Sequence, residues 1–268
     1  MNIKFGFIGC GNMGGALLEA VSKTVPASHI MICDQNTQKT NEHSQRLGVT
    51  VTALSKLVGE CDYIFLGVKP QVYPALFDDL RPLLKARKTS PVLISMAAGI
   101  SIEAVESLAE VPCGVIRIMP NTPVSVGEGM ILYTANKQVD DDLLSNFHQA
   151  MQYAGTLDAL SEDKIDAASA LSGCGPAFVY MFAEALADGA VECGLPRDKA
   201  LLYAAQTLKG ASELLLKSGK HPGELKDAVC SPGGTTIAGV HALEVGGLRA
   251  TAMDAVTAAY ERTLELKK

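Results

Sequence analysis

The run Phe5-Gly6-Phe7-Ile8-Gly9-Cys10-Gly11-Asn12-Met13-Gly14 decides the fold of this 268-residue chain. A short apolar strand pattern leads into it, and a helical pattern follows it. Between the two, Gly9, Gly11 and Gly14 stand at G-x-G-x-x-G spacing. Each glycine has its own reason: Gly9 for the tight turn, Gly11 so that the backbone can approach a pyrophosphate, Gly14 for close packing of helix on strand. The strand-turn-helix context makes this a dinucleotide fingerprint, with Ile8, Gly9, Gly11, Asn12, Met13 and Gly14 as its candidate cofactor residues. The second strand ends at Asp34, about twenty residues past Gly14, where a carboxylate can bond a ribose 2′-OH. Such a carboxylate repels a 2′-phosphate, and Gln35, Asn36, Thr37 and Gln38 bring no arginine to hold one, which leans toward NADH over NADPH. The competing reading of Asp34 is a turn residue or helix N-cap.

Outward from this run, short apolar segments alternate with helical periodicity as far as about residue 160. That alternation predicts an α/β domain, a doubly wound parallel sheet covered by helices on both faces. The expected strands are 4–9, 30–33, 63–68, 92–95, 114–119 and 130–134, with helices over 13–23, 36–48, 72–84 and 102–108. Past Leu160 strand-like runs vanish, and alanine- and leucine-rich helical segments occupy 162–170, 176–193, 197–218, 222–228, 236–244 and 247–266. The expected domains are therefore 1–160, binding the dinucleotide, and 161–268, all-helical. Helices of the second domain are apolar on more than one side, as in Ala250-Thr251-Ala252-Met253-Asp254-Ala255-Val256, so a second subunit is expected against them.

Composition narrows the partners. A net charge of −6 without a Lys/Arg cluster argues against nucleic acid and anionic membranes. Cys10, Cys33, Cys61, Cys113, Cys174, Cys193 and Cys230 are odd in number and form no C-x-x-C pair. Neither a disulfide framework nor a zinc site is indicated, and reduced thiols fit a cytoplasmic address. The five histidines sit at no ligand spacing, so no metal is expected. No signal peptide or membrane span is read.

Three more strand exits offer ligand contacts, because open α/β sheets bind at the carboxyl ends of their strands. The first carries Val68, Lys69 and Pro70. Ala97 follows the next, and Asn121 lies in the third between Pro120 and Pro123, held stiffly enough to orient a carboxamide. Far along the chain, Cys230-Ser231-Pro232-Gly233-Gly234-Thr235-Thr236-Ile237 opens a helix with free N–H groups, two hydroxyls and bare glycines. That is a cradle for a carboxylate or phosphate, favoured by the positive end of the helix dipole. Its competing reading is an ordinary turn and N-cap.

Taken in order, these segments resemble the pyrroline-5-carboxylate reductases of proline biosynthesis across nearly the whole chain. The resemblance runs through the glycine fingerprint, Val68-Lys69-Pro70, Ser95-Met96-Ala97-Ala98-Gly99, Arg117-Ile118-Met119-Pro120-Asn121-Thr122-Pro123, Leu171-Ser172-Gly173-Cys174-Gly175-Pro176-Ala177 and His221-Pro222-Gly223-Glu224-Leu225-Lys226-Asp227. It closes on Val229-Cys230-Ser231-Pro232-Gly233-Gly234-Thr235-Thr236, the family's most specific motif. It implies reduction of Δ1-pyrroline-5-carboxylate to L-proline by NADPH or NADH, on a Rossmann domain joined to a helical dimerisation domain. It also implies a homodimer, often assembled into decamers, with the substrate pocket where two subunits' helical domains meet. By resemblance, Gly234, Thr235 and Ser231 hold the substrate carboxylate and the Thr236 hydroxyl meets the ring nitrogen. Glu162 stands near the substrate, able to favour a cationic nitrogen, Val229 lines the ring, and Asp227 forms pocket wall.

Rival readings are a β-hydroxyacid dehydrogenase, a reductase of another cyclic imino acid, and a non-catalytic dinucleotide sensor. The first needs a lysine on the helix after the second glycine motif, which here reads Ala177-Phe178-Val179-Tyr180-Met181-Phe182. Ring size is a matter of pocket volume, so another cyclic imine stays open. The intact Ser231–Thr236 cradle counts against a sensor. His241 reads as structural beside Val240 and Ala242, and Cys174 and Cys230, lacking a paired base, as packing residues.

Overall fold

The computed structural model describes residues 3–265. Residues 1, 2 and 266–268, at the ends of the two expected domains and of the last expected helix, lie outside them. Two compact units divide the chain: one runs to Gly173 and takes up the chain again from Tyr260, and the other is Cys174–Ala259.

The first unit contains β1 (Phe5–Ile8), α1 (Asn12–Ser22), β2 (Ile30–Cys33), α2 (Thr37–Leu47), β3 (Thr50–Val51), α3 (Leu54–Glu60), β4 (Tyr63–Leu66) and α4 (Tyr73–Lys85). It continues through β5 (Val92–Ser95), α5 (Ile102–Ala109), β6 (Val115–Pro120), β7 (Gly129–Ala135), α6 (Asp141–Met151), β8 (Gly155–Ala159) and α7 (Ile165–Ser172). The sheet order is β3-β2-β1-β4-β5-β6-β7-β8. Strand order reverses between β1 and β4, which opens a crevice at their carboxyl ends.

Side-chain alternation splits the strands between two apolar layers. Phe5, Phe7, Ile30, Ile32, Tyr63, Phe65, Ile94 and Ile118 enter one layer with Leu17 and Leu18 of α1 and Phe147 of α6. Met31, Ile64, Leu66 and Leu93 enter the other with Leu57 of α3 and Tyr73, Phe77 and Leu80 of α4. A period of two on a sheet covered on both faces requires this division. Phe7 stacks on Phe65 with ring centroids 4.4 Å apart, and Phe5 on Tyr63 at 5.0 Å. Burying each such ring contributes roughly 1.5–3 kcal/mol.

The six expected strands are present, and two more were not anticipated. β3 is two exposed residues, and β8 carries only one side chain, Leu157, against the core, so neither shows an apolar run. β7 runs antiparallel to β6, where a wholly parallel sheet was expected. The reason is the connection: only the 3-10 turn Thr122–Val126 and Gly127 stand near that corner, too little chain for a parallel crossover. α3 and α6 were also not anticipated. α6 carries its own start signal, since the Asp140 side chain accepts a hydrogen bond from Leu143 N (2.8 Å) and Asp141 and Asp142 fill its first turn. The division into compact units falls at Gly173, because α7 packs on β6 and β7.

The second unit is helical: α8 (Gly175–Glu192), α9 (Arg197–Ser218), α10 (Pro222–Ala228), α11 (Thr235–Val245) and the greater part of α12 (Leu248–Glu265). α8 and α9 pair closely, but the buried core there is only Ala187, Ala200 and Ala204. Large apolar side chains stay outside, including Met181 (70% exposed), Leu216 (80%) and Val245 (75%). α11 and α12 contain no buried residue among the described ones.

Candidate active site

The glycine-rich turn is held by its neighbours. Gly9 N donates to Cys33 O (2.8 Å) and Gly67 N to Ile8 O (2.7 Å), which laces together the exits of β1, β2 and β4. Gly9 takes φ +91°, and a Cβ there would stand 2.6 Å from Gly67 O. A Cβ on Gly14 would stand 2.2 Å from Gly9 O. At Gly11, by contrast, a Cβ would meet nothing within 4 Å. Two glycines are thus demanded by packing, while the third faces open space at the start of α1, where a pyrophosphate takes its place in a dinucleotide fold. The residues fit the cofactor they were expected to hold.

Asn12 is exposed at the first position of α1, Ile8 is buried, and Met13 packs on the first core layer. Asp34 is occupied: its Oδ2 accepts from Cys10 N (2.6 Å) and its Oδ1 from Asn36 N (2.8 Å). The N-cap of α2 is Asn36, whose Oδ1 accepts from Lys39 N (3.2 Å). Burial pushes the Cys10 thiol up to about 12, with the Asp34 charge adding to the rise and Lys39 opposing it. A cleft of about 280 Å³ opens beside the turn, lined by Cys10, Gly11 and Asn12 and by Lys39, His43 and Ser125 among others. The sequence reading passed over Lys39, whose signal is its place as the third residue of the helix that starts beyond Asp34.

At the next exit, Val68 packs on the second core layer and Lys69 is exposed. Ala97 is buried in that layer, so of its exit only the backbone and the exposed Ala98 and Gly99 face outward. Asn121 is engaged within the chain. Its Nδ2 donates to Ser172 O (2.9 Å) and its Oδ1 accepts from Met130 N (2.9 Å). The carboxamide is thus held at both ends, bracketing β6, β7 and the end of α7.

Glu162 is engaged too. Its Oε1 accepts from Ile102 N (2.8 Å) and from Arg117 Nη1 (2.9 Å), and Arg117 Nη2 also lies 3.4 Å from Asp166 Oδ1. The Arg117 side chain is 3% exposed. Through these bonds Glu162 fastens the start of α7 and of α5 to β6.

In the second unit, Gly234 is the N-cap of α11 with no side chain capping it. Gly233 takes φ +66°, and Gly234 N donates to Ser231 O (3.0 Å). A Cβ on Gly234 would fall 2.3 Å from Ser231 Oγ, so the hydroxyl lies against the turn. The N–H groups of Thr235 and Thr236 open the helix without intrahelical acceptors. Ser231, Thr235, Thr236 and Val229 are all exposed. Asp227 accepts from Lys226 Nζ (2.6 Å), and His241 is exposed. The turn presents N–H donors and hydroxyls outward with no internal cap, which is the arrangement a carboxylate needs.

Two family models match the chain: pyrroline-5-carboxylate reductase dimerisation over residues 162–266, and NADP oxidoreductase, coenzyme F420-dependent, over residues 4–99. Pyrroline-5-carboxylate reductase 3 of Danio rerio is 43% identical over 267 residues, covering 98% of this chain and 91% of its own. Pyrroline-5-carboxylate reductase of Arabidopsis thaliana is 40% identical, covering 100% and 96%. Among solved structures, the pyrroline-5-carboxylate reductase of Coxiella burnetii superposes with a TM-score of 0.92 at 31% identity over the full length of both chains. The Plasmodium falciparum pyrroline carboxylate reductase, solved with NADP bound, gives 0.85 at 32% identity, covering 100% of this chain and 99% of its own.

Proposed function

This chain belongs to the pyrroline-5-carboxylate reductase family, and from that premise we propose how its residues carry the reaction. The reaction is the NAD(P)H-dependent reduction of Δ1-pyrroline-5-carboxylate to L-proline, performed by a homo-oligomer. When bound, the reduced nicotinamide supplies the hydride that the imine carbon accepts. The protein's own part is to hold both reactants and to manage one proton. The Gly9–Gly14 turn, open at Gly11, receives the pyrophosphate. The Thr235 and Thr236 N–H groups, with the Ser231 hydroxyl, hold the substrate carboxylate. The Thr236 hydroxyl hydrogen-bonds the ring nitrogen, which takes up a proton as its C=N bond is reduced. A threonine hydroxyl is a weak acid, so it orients the nitrogen or relays a proton from water, and alignment supplies most of the acceleration.

The observation that carries this reading is the uncapped α11 start, with outward N–H donors and the Ser231 hydroxyl tucked against Gly234. The test is oxidation of NADH and of NADPH at 340 nm with racemic pyrroline-5-carboxylate, with proline quantified. Imine-dependent proline formation is expected with at least one cofactor, and Thr236→Ala should lower kcat while the cofactor Kd holds. Cofactor binding without proline formation would return the chain to the sensor or to another cyclic imine.

We further propose a decamer assembled from dimers in the cytoplasm, with neither nucleic acid nor membrane as partner. Seven free thiols support the address. The helical run Glu162–Glu192 is long and apolar enough to cross a bilayer by length and composition. It lies within the segment matched by the dimerisation family, which supports a subunit as the partner of its apolar surface.

A further inference from the structure

The charges around the end of β2 bear on which cofactor enters. Asp34 does not present a bare carboxylate, since both oxygens accept backbone N–H groups, from Cys10 at 2.6 Å and from Asn36 at 2.8 Å. Its charge is drawn onto the phosphate-binding turn and the approach to α2. Lys39, exposed, lines the cleft beside this turn together with Cys10, Gly11 and Asn12.

The other charged side chains lining that cleft are engaged. Glu19 pairs with Arg46, Glu42 accepts from Gln38 Nε2 (2.9 Å), and His43 Nδ1 lies 3.3 Å from Arg46 Nη2. Of these charged and titratable lining residues, Lys39 alone has neither an ion pair nor a side-chain hydrogen bond among the described residues. An ammonium without an ion pair, in a cleft lined also by the pyrophosphate turn, is suited to a second phosphate. NADPH differs from NADH by a 2′-phosphate on the ribose, and dinucleotide folds place that ribose at the end of the second strand.

We propose that Lys39 is the residue that admits NADPH, offsetting Asp34, so that this chain uses both cofactors while Asp34 serves as a latch on the glycine-rich turn. This deepens the reductase reading and rests on its cofactor site. It also reverses the lean toward NADH drawn from Asp34 alone.

The test is equilibrium binding of NADPH and NADH to the intact oligomer by titration calorimetry, without imine, at low and at high salt. In the unaltered protein, NADPH affinity should fall more steeply with salt than NADH affinity, because the extra contact is ionic and partly exposed. Lys39→Gln should raise the ratio of Kd for NADPH to Kd for NADH by about five- to tenfold and abolish the extra salt dependence. Lys39→Arg should restore both. An unchanged ratio in Lys39→Gln, or equal weakening of both cofactors by Lys39→Gln and Lys39→Arg, overturns the proposal. Proline formation is scored separately, so a protein with the Lys39 signature and no proline refutes the reductase reading and leaves this one standing.

Discussion

Burial keeps three thiols protonated: Cys10 and Cys61 are pushed up to about 12 and Cys113 to about 11, desolvation being the main cause in each. A pKa raised on folding stabilises the native state fully below the unfolded value near 9 and loses that contribution as pH rises toward the folded value. Stability should therefore decline above pH 9, and at pH 8 iodoacetamide should leave these three cysteines unlabelled, as read by peptide mass spectrometry. Rapid labelling of Cys10 in the native protein would contradict the closed packing of the glycine-rich turn. At this scale positions were legible in the sequence and roles were less so. Asp34, Asn121 and Glu162 all stand at strand ends or helix starts, where their motifs put them. The atoms they engage, Cys10 N, Ser172 O and Arg117, lie 24, 51 and 45 residues away in the chain, and no local spacing encodes such partners.

The elements around the fingerprint were readable because each of its glycines answers a separate local demand. Those demands predict different failures. Gly14→Ala, which would set a methyl 2.2 Å from Gly9 O, should cost about 1–3 kcal/mol or more in a denaturant titration. Gly11→Ala, at the N-cap of α1, should cost less, about 0.5–1 kcal/mol, while weakening cofactor binding at least about tenfold. If Gly11→Ala unfolds the chain and Gly14→Ala does not, the assignment of the three glycines is wrong. Elements that escaped the sequence reading lack a strong period. β3 is two residues long, α3 is a seven-residue helix containing Gly59, and β8 lies at the sheet edge with little burial. α6 was missed although Asp140 and an acidic first turn mark its start.

At the scale of the molecule, the second unit buries three alanines and leaves Met181, Leu216, Val245 and Met253 largely exposed. The sequence showed this as helices apolar on several sides, and the inference of a partner followed from the size of the core. Light scattering should find no species smaller than a dimer at micromolar concentration, and Tm should rise with protein concentration because assembly stabilises the native chain. Met253→Lys should shift the population toward smaller species and lower Tm. A stable, concentration-independent monomer would refute the interface. The carboxylate cradle begins α11, a helix that its own chain leaves uncovered. Under the assembly proposed above its stiffness would be lent by a neighbour, and a defective subunit that still assembles would impair the sound one beside it. In a cell carrying one damaged and one intact copy of the gene, the loss of turnover would exceed one half.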